Sequence, residues 1–377
     1  MHIRRIIQKV VVCNMGFVQC RNIKHFIIDD GCLKLISTPV NIIGKDDEYH
    51  ISGGTLKPLS TFELKRLEAD INKETEKEIK NLRVLSNYSD KDFNFTVSLH
   101  YDYCEIEGKE LKKVYSLVEV FYNGVSIDYL IFNSNTIQYI KELKEHLQEK
   151  YLCFNDTVDY KGELPLLFTD QAAVVLAHEF LGHMLEIDNF YFFKYNELIN
   201  DVESLKLTVW DDPLIPNSSA YYKYDDAGIA AKVTNIIDKG NFTGNLIGGK
   251  INEMVVKSSL RRDYYSNKLL PRMSNFMVQA NCSAKKPKRY IEISKLSRCF
   301  INHNNKVLEL NVGLALLMDN STRLKRVNPF YLKLTIKELL EKIHPIQSHN
   351  FLRPLKCYKR GQVIQCGGTS CDWLLLN

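Results

Sequence analysis

Residues 176–188 read "LAHEFLGHMLEID", with Glu179 beside His178 and His183 five positions after His178. Asp170, a good helix N-cap, and the apolar run "QAAVVLA" precede this stretch and place it on a helix. Each residue of a regular α-helix turns about 100°, so residues four apart lie about 40° out of line and can share a ligand. Residues five apart lie about 140° out of line and face different directions. A chain that brings both histidines to one point must therefore break α-helical register between them. Two devices do this. A π-bulge takes up one extra residue, or the helix ends and Gly182 lets the backbone turn before His183. Two imidazoles with a neighbouring carboxylate and an open position for water would suit a hydrolytic metal site. The competing reading is one buried histidine on an apolar helix and one histidine at a helix end.

Most of the remaining chain is patterned for strands. Short β-branched runs occupy residues 1–55, beginning with "KVVVC" as a first strand, and "SGG" at 52–54 is a break. "FNFTVSLHYDY", "KVYSLVEVFYN" and "VSIDYLIFN" fill 93–133, with "YNG" as a turn. Two amphipathic helices are expected at 60–86 and 134–152. The first is capped by Ser60 or Thr61, with Leu64, Leu67, Ile71 and Ile79 as its apolar stripe. From about 205 the chain returns to strands and turns, with one late helix in "LTIKELLEKI". The expected architecture is α+β, with an N-terminal α+β domain over 1–155 and a C-terminal domain over 156–377 that carries the His-Glu helix.

Composition excludes several classes. A net charge of +5 over 377 residues does not point to a nucleic-acid partner, and the run "KKPKRY" at 285–290 reads as a solvated loop. No stretch approaches 18 uncharged apolar residues, so no membrane span is expected. Ten dispersed cysteines without a C-x-x-C pair suit reduced thiols and a cytoplasmic location.

Four motifs then occur in order. "HEFLGHMLEID" resembles the H-E-A-x-G-H-x-L-E-x-D signature of the TldD/PmbA metallopeptidase family, with Phe180 in place of alanine. "YKYDDAG" (222–228) is similar to its Y-x-x-D-D-E-G segment, with Ala227 for glutamate, and "NIIDKGNFTGNL" follows as in the family. "SLRRDYYSNKLLPRMSNFMV" (259–278) resembles the N-x-R-R…P-R-M-T-N segment through Arg261, Arg262, Pro271, Arg272, Met273 and Asn275. "CYKRGQ" (357–362) resembles C-G-K-x-G-Q, with Tyr358 for glycine, while "QCGGTSC" replaces the closing V-G-x-G-Q-P run. The resemblance covers roughly 155–377, and the front part is shorter than is usual in the family.

The resemblance implies a C-terminal metallopeptidase domain, largely antiparallel β, with one zinc per chain held by His178, His183 and Cys357. Glu179 would take a proton from water and later protonate the leaving amine. Substrates would be short or unfolded peptides, such as peptide-antibiotic precursors or degradation fragments. The assembly would be a homodimer, or a heterodimer with a related metal-free subunit. Glu186 and Asp188 would orient the histidines as acceptors, or form a polar helix end. Asp225 and Asp226 line the site or make a turn, and the turn is favoured. Arg261, Arg262 and Arg272 grip a peptide or form salt bridges, and the structural role is favoured. Cys366 and Cys371 are read as spare thiols, and His303, His344 and His349 as surface residues. Two rival functions stand beside the peptidase: a catalytically silent peptide-binding or assembly subunit, and a nucleic-acid-linked regulator associated with DNA gyrase.

Overall fold

The computed structural model describes residues 17–37, 42–46, 60–106, 109–145, 156–251, 256–263, 267–348 and 351–377. The expected first strand "KVVVC", the "SGG" break and the domain boundary near 155 lie outside them. The front of the chain is one antiparallel sheet. In spatial order it runs Cys32–Ser37, Phe17–Asp29, Phe93–Ile106, Lys109–Tyr122, Val125–Ile131, and Ile42–Asp46 also pairs with Phe17–Asp29. The "YNG" turn joins two of these strands, with Asn123 and Gly124 both at positive φ, as a tight hairpin requires.

Helix α1, Thr61–Leu82, and helix α2, Ser134–Glu145, belong to this half. Ile71 of α1 packs with Tyr101, while Leu82, Ile140 and Leu143 join Phe93, Phe95, Val97, Val118 and Val120 in one core. Burying each such side chain contributes roughly 1.5–3 kcal/mol, which is why the alternating pattern fixes one face inward.

Among the described residues the rest of the chain forms a second six-stranded sheet, an eight-stranded sheet and two two-stranded ribbons. The six-stranded sheet has the order Asn241–Phe242, Thr234–Asp238, Leu207–Asp211, Asn275–Ala280, Gln362–Thr369, Arg353–Lys359. The eight-stranded sheet runs Ile343–Ile346, Asp372–Leu375, Leu166–Phe168, Arg289–Asn302, Val307–Asp319, Thr322–Val327, Thr157–Val158, and Phe330–Thr335 also pairs with Val307–Asp319. Pairings are mostly antiparallel, so the molecule is α+β as expected. The late helix, Ile336–Lys342, carries a full capping box between Thr335 and Glu338. No helix among the described residues is long and apolar enough to cross a membrane.

Helix α3, Asp170–Ala177, leaves the end of Leu166–Phe168 and packs on Arg289–Asn302, Arg353–Lys359 and Asp372–Leu375. Its residues Ala172, Ala173, Val174, Leu176 and Ala177 are buried. Asp170 is the first helical residue and not the N-cap. Thr169 holds the cap position without a side-chain cap bond, and Asp170 instead faces Arg353 at 3.5 Å.

A buried ion pair ties the front sheet to the back. Arg353 Nη1 lies 2.7 Å from Asp128 Oδ1, and the Tyr139 hydroxyl donates to Asp128 Oδ2 at 2.7 Å. A second buried acid, Asp211, accepts from the backbone N–H and the hydroxyl of Ser274. Burial pushes its carboxyl up to about 7. A raised folded-state value means that the unfolded chain ionises first. This residue's contribution is therefore complete below the ordinary carboxylate range and is lost as pH rises toward 7. Urea unfolding at pH 5 and pH 8 should show Asp211→Asn losing less stability across that interval than the parent, by about 2–3 kcal/mol.

Candidate metal centre

Directly after α3 the backbone makes a single π-turn, His178–Gly182, closed by a bond from His183 N–H to His178 C=O at 3.1 Å. Of the two devices open to the sequence, the chain uses the bulge. Gly182 is the last residue of that turn, and His183, at the C-cap, keeps right-handed helical angles, φ −65° and ψ −31°. Gly182 has a different task from the one expected of it. A Cβ there would lie 2.1 Å from Met273 Sδ, so glycine serves close packing against that side chain and not backbone freedom. The widened turn takes up the fifth residue and swings His183 round toward His178. Their rings stand edge to face, with centroids 5.0 Å apart.

The third member comes from far along the chain. Cys357 lies on the strand Arg353–Lys359, where buried and exposed residues alternate from Leu355 to Lys359. Ligand atoms of His178, His183 and Cys357 all fall within 4.8 Å of one another, and all three residues are buried. Cys357 Sγ is 3.6 Å from His183 Nε2. Glu179 Oε2 is 4.0 Å from the same nitrogen.

The donor set fits a tetrahedral borderline metal. Neither ring nitrogen of His178 has a hydrogen-bond partner among the described residues, although both are buried. Orphaned imidazole nitrogens at such a point are what a metal ligand presents before coordination. Burial opposes ionisation of Cys357, but the neighbouring Cys366 thiol and the charges of Arg272, His183 and His178 outweigh it and hold the thiol well below its ordinary value. A thiolate is the form that binds metal.

A buried polar network fixes the second histidine. Burial works against charge on Glu186, yet Lys359 and His183 outweigh it and draw its carboxyl down to about 2. Its Oε2 accepts from His183 Nδ1 at 2.9 Å, from Asn189 Nδ2 at 3.0 Å and from Lys359 Nζ at 2.8 Å. That carboxylate holds a proton on Nδ1 and turns Nε2, the nitrogen a metal would take, toward Cys357 and Glu179. Asp188 touches neither histidine. It binds Lys359 at 2.7 Å and Arg360 at 3.2 Å. Lys359, which matches the lysine of the C-G-K-x-G-Q motif and also donates to Pro271 C=O at 2.9 Å, is thus the hub of this network, a role the motif alone did not assign. Its signal was present, because Cys357 and Lys359 are two apart on one strand and share a face.

The remaining candidates separate from the centre. Asp225 accepts from the N–H groups of Ala227, Ile229 and Leu260, so it builds a turn. Asp226 accepts from the Arg262 N–H. Both acids lie with Arg261 and Arg262 in a small polar seam that also includes Arg21, Asp102 and Lys113. Arg261 donates to the Met273 and Gln365 carbonyls. Arg272 alone of the three arginines reaches the centre, where it donates to Cys357 C=O and lends its charge to the thiolate. Cys366 borders Cys357, and its thiol donates to Met273 C=O at 3.1 Å, so it is more than a spare thiol. His303 is not a surface residue, because it lines the same cavity as His178, Glu179 and His183. That cavity measures about 1080 Å³ and reaches from the metal centre to Ser98, Glu119 and Tyr129 of the front sheet.

Residues 161–364, more than half of the chain, match the family described as the PmbA/TldA metallopeptidase C-terminal domain. A metalloprotease of Methanocaldococcus jannaschii is 38% identical over 84 residues, a stretch that covers 21% of this chain and only 18% of that protein. The structure of TldE from Thermococcus kodakarensis superposes with a TM-score of 0.62 at 15% identity, covering 96% of this chain and 95% of that one. A Thermotoga maritima protein described as a modulator of a DNA gyrase gives 0.59 at 12% identity, covering 96% of this chain and 94% of that one. The structural likenesses speak for the fold, and the family match adds a metallopeptidase-type domain around the His-Glu helix. The chain belongs to the TldD/PmbA family.

Proposed function

We propose that this chain is a zinc peptidase that hydrolyses peptide bonds in short or unfolded peptides. The observation that carries the proposal is the convergence of His178, His183 and Cys357, with the Glu179 carboxylate beside them, on one large cavity. His178, His183 and Cys357 would hold the metal, and the Glu186–Lys359 network keeps His183 oriented toward it. When bound, zinc would supply Lewis-acid chemistry, polarising the scissile carbonyl and making water more acidic.

Glu179 takes one proton from water as the water oxygen bonds to the carbonyl carbon. It returns that proton to the leaving nitrogen as the C–N bond breaks. Burial raises the Glu179 carboxyl against the opposing pull of His183 and His178, which suits a group that must both accept and donate a proton. The cavity admits an extended chain but not a folded domain. Precursors of peptide antibiotics and degradation fragments fit that limit, and a dimer of like or related subunits belongs to the same proposal. The silent-subunit reading gains nothing from a complete set of four functional groups.

Metal analysis of the purified protein, run beside cleavage of an unstructured peptide mixture, tests the proposal. About one zinc per chain is expected, with cleavage abolished by chelation and restored by zinc. Cys357→Ala should release the metal. Metal-free parent protein, or full metal retention by Cys357→Ala, would overturn the ligand set.

A further inference from the structure

His303 follows the strand Arg289–Asn302 and sits on the cavity wall next to the metal centre. Its ring stands edge to face with His183, centroids 6.0 Å apart, and stacks on Phe193 at 4.8 Å. Its Nδ1 lies 2.9 Å from the Tyr195 hydroxyl. Tyr195 is fully buried, and its hydroxyl has no other hydrogen bond among the described residues.

That isolation decides the direction of the bond. Were His303 the donor, the phenolic proton would be buried without an acceptor, which is a costly arrangement. Tyr195 therefore donates to Nδ1, and the neutral ring carries its proton on Nε2. No described residue takes up that Nε2 proton. Phe193 against one face and Tyr195 at one edge fix the ring in a single orientation, so the free donor is held in place before any substrate arrives.

We infer that His303 donates a hydrogen bond from Nε2 to the oxygen of the scissile carbonyl, and that this bond strengthens as the oxygen gains negative charge. Tyr195 is the positioning residue that sets the tautomer. The inference rests on the peptidase reading, and it gives a substrate-contacting role to a histidine outside the ligand set.

Removing one preorganised donor of this kind costs about 10²–10³ in turnover, so His303→Leu should lower kcat about 100-fold, with KM changed less than about threefold and zinc content unchanged. His303→Gln keeps an N–H donor and should recover about tenfold of that loss, while Tyr195→Phe should lower kcat about three- to tenfold. A binding measurement separates this role from a structural one. In zinc-loaded Glu179→Gln protein, calorimetry with an alanine-based phosphonamidate peptide should show affinity lost on His303→Leu in proportion to kcat. The matching amide peptide should bind as before. Parent-level kcat in both His303 variants, zinc loss in His303→Leu, or equal weakening of the two ligands would overturn the inference. Should the zinc-loaded parent cleave no peptide, the peptidase reading fails instead, and the phosphonamidate comparison still decides whether His303 contacts the ligand.

Discussion

Glu179→Gln is expected to lower peptide cleavage about 10²–10⁴-fold while metal content stays at the parent level. Glutamine matches glutamate in shape, so the cavity wall is preserved and only the proton acceptor is removed. Glu179 lies outside the His178–His183–Cys357 cluster, which explains why metal should be retained. Its Oε2 is 4.0 Å from His183 Nε2, close enough to serve a water held at the centre. The pH profile offers a second check. The base must be ionised to accept a proton, and burial raises its titration above the ordinary carboxylate range. Cleavage by the parent should therefore rise with pH through that raised value, and the rise should vanish in the variant. Equal cleavage by both proteins would remove Glu179 from the mechanism.

Arg353→Ala is expected to destabilise the fold by about 3–5 kcal/mol, the usual cost of stranding one charge of a buried pair. Arg353 is fully buried, and its partner Asp128 is 6% exposed on its side chain. Deletion would leave Asp128 with the Tyr139 hydroxyl and the Tyr129 N–H as its remaining donors. The damage should also reach the metal centre, because Arg353 begins the strand that ends in Cys357 and Lys359. Replacing both partners by apolar residues, Arg353→Met with Asp128→Leu, should recover most of the loss, since no buried charge is then left unpaired and Asp170, the other partner of Arg353, is exposed. Chemical denaturation of the single and double variants measures both effects. A loss below about 1 kcal/mol in Arg353→Ala would show that water reaches Asp128 and that the pair is not a buried one.

Legibility from sequence followed locality. Alternation in 93–133 defined strands and their inward faces, because period two is written in neighbouring residues. The demand for a break between His178 and His183 was arithmetic on one helix. The packing task of Gly182 was not readable, because Met273 meets it from about ninety positions away. Cys357 has no spacing relation to the histidines, 174 residues from His183, and only the family resemblance pointed to it. His303 had neither spacing nor motif. Its place in the cavity follows from how the strand Arg289–Asn302 crosses α3, which pairwise patterns in a sequence do not encode.

The contact between Gly182 and Met273 makes these two positions one mutational unit. A side chain added at 182 needs the end of the Met273 side chain to move aside, or a shorter residue at 273. Alanine at 182 should thus be more harmful alone than beside a trimmed residue 273, and the paired effects should be non-additive. The two positions belong to different recognition motifs, so the motifs are not independent signatures. Among relatives that keep the π-turn, drift in one constrains drift in the other, and the packing contact would appear as correlated change.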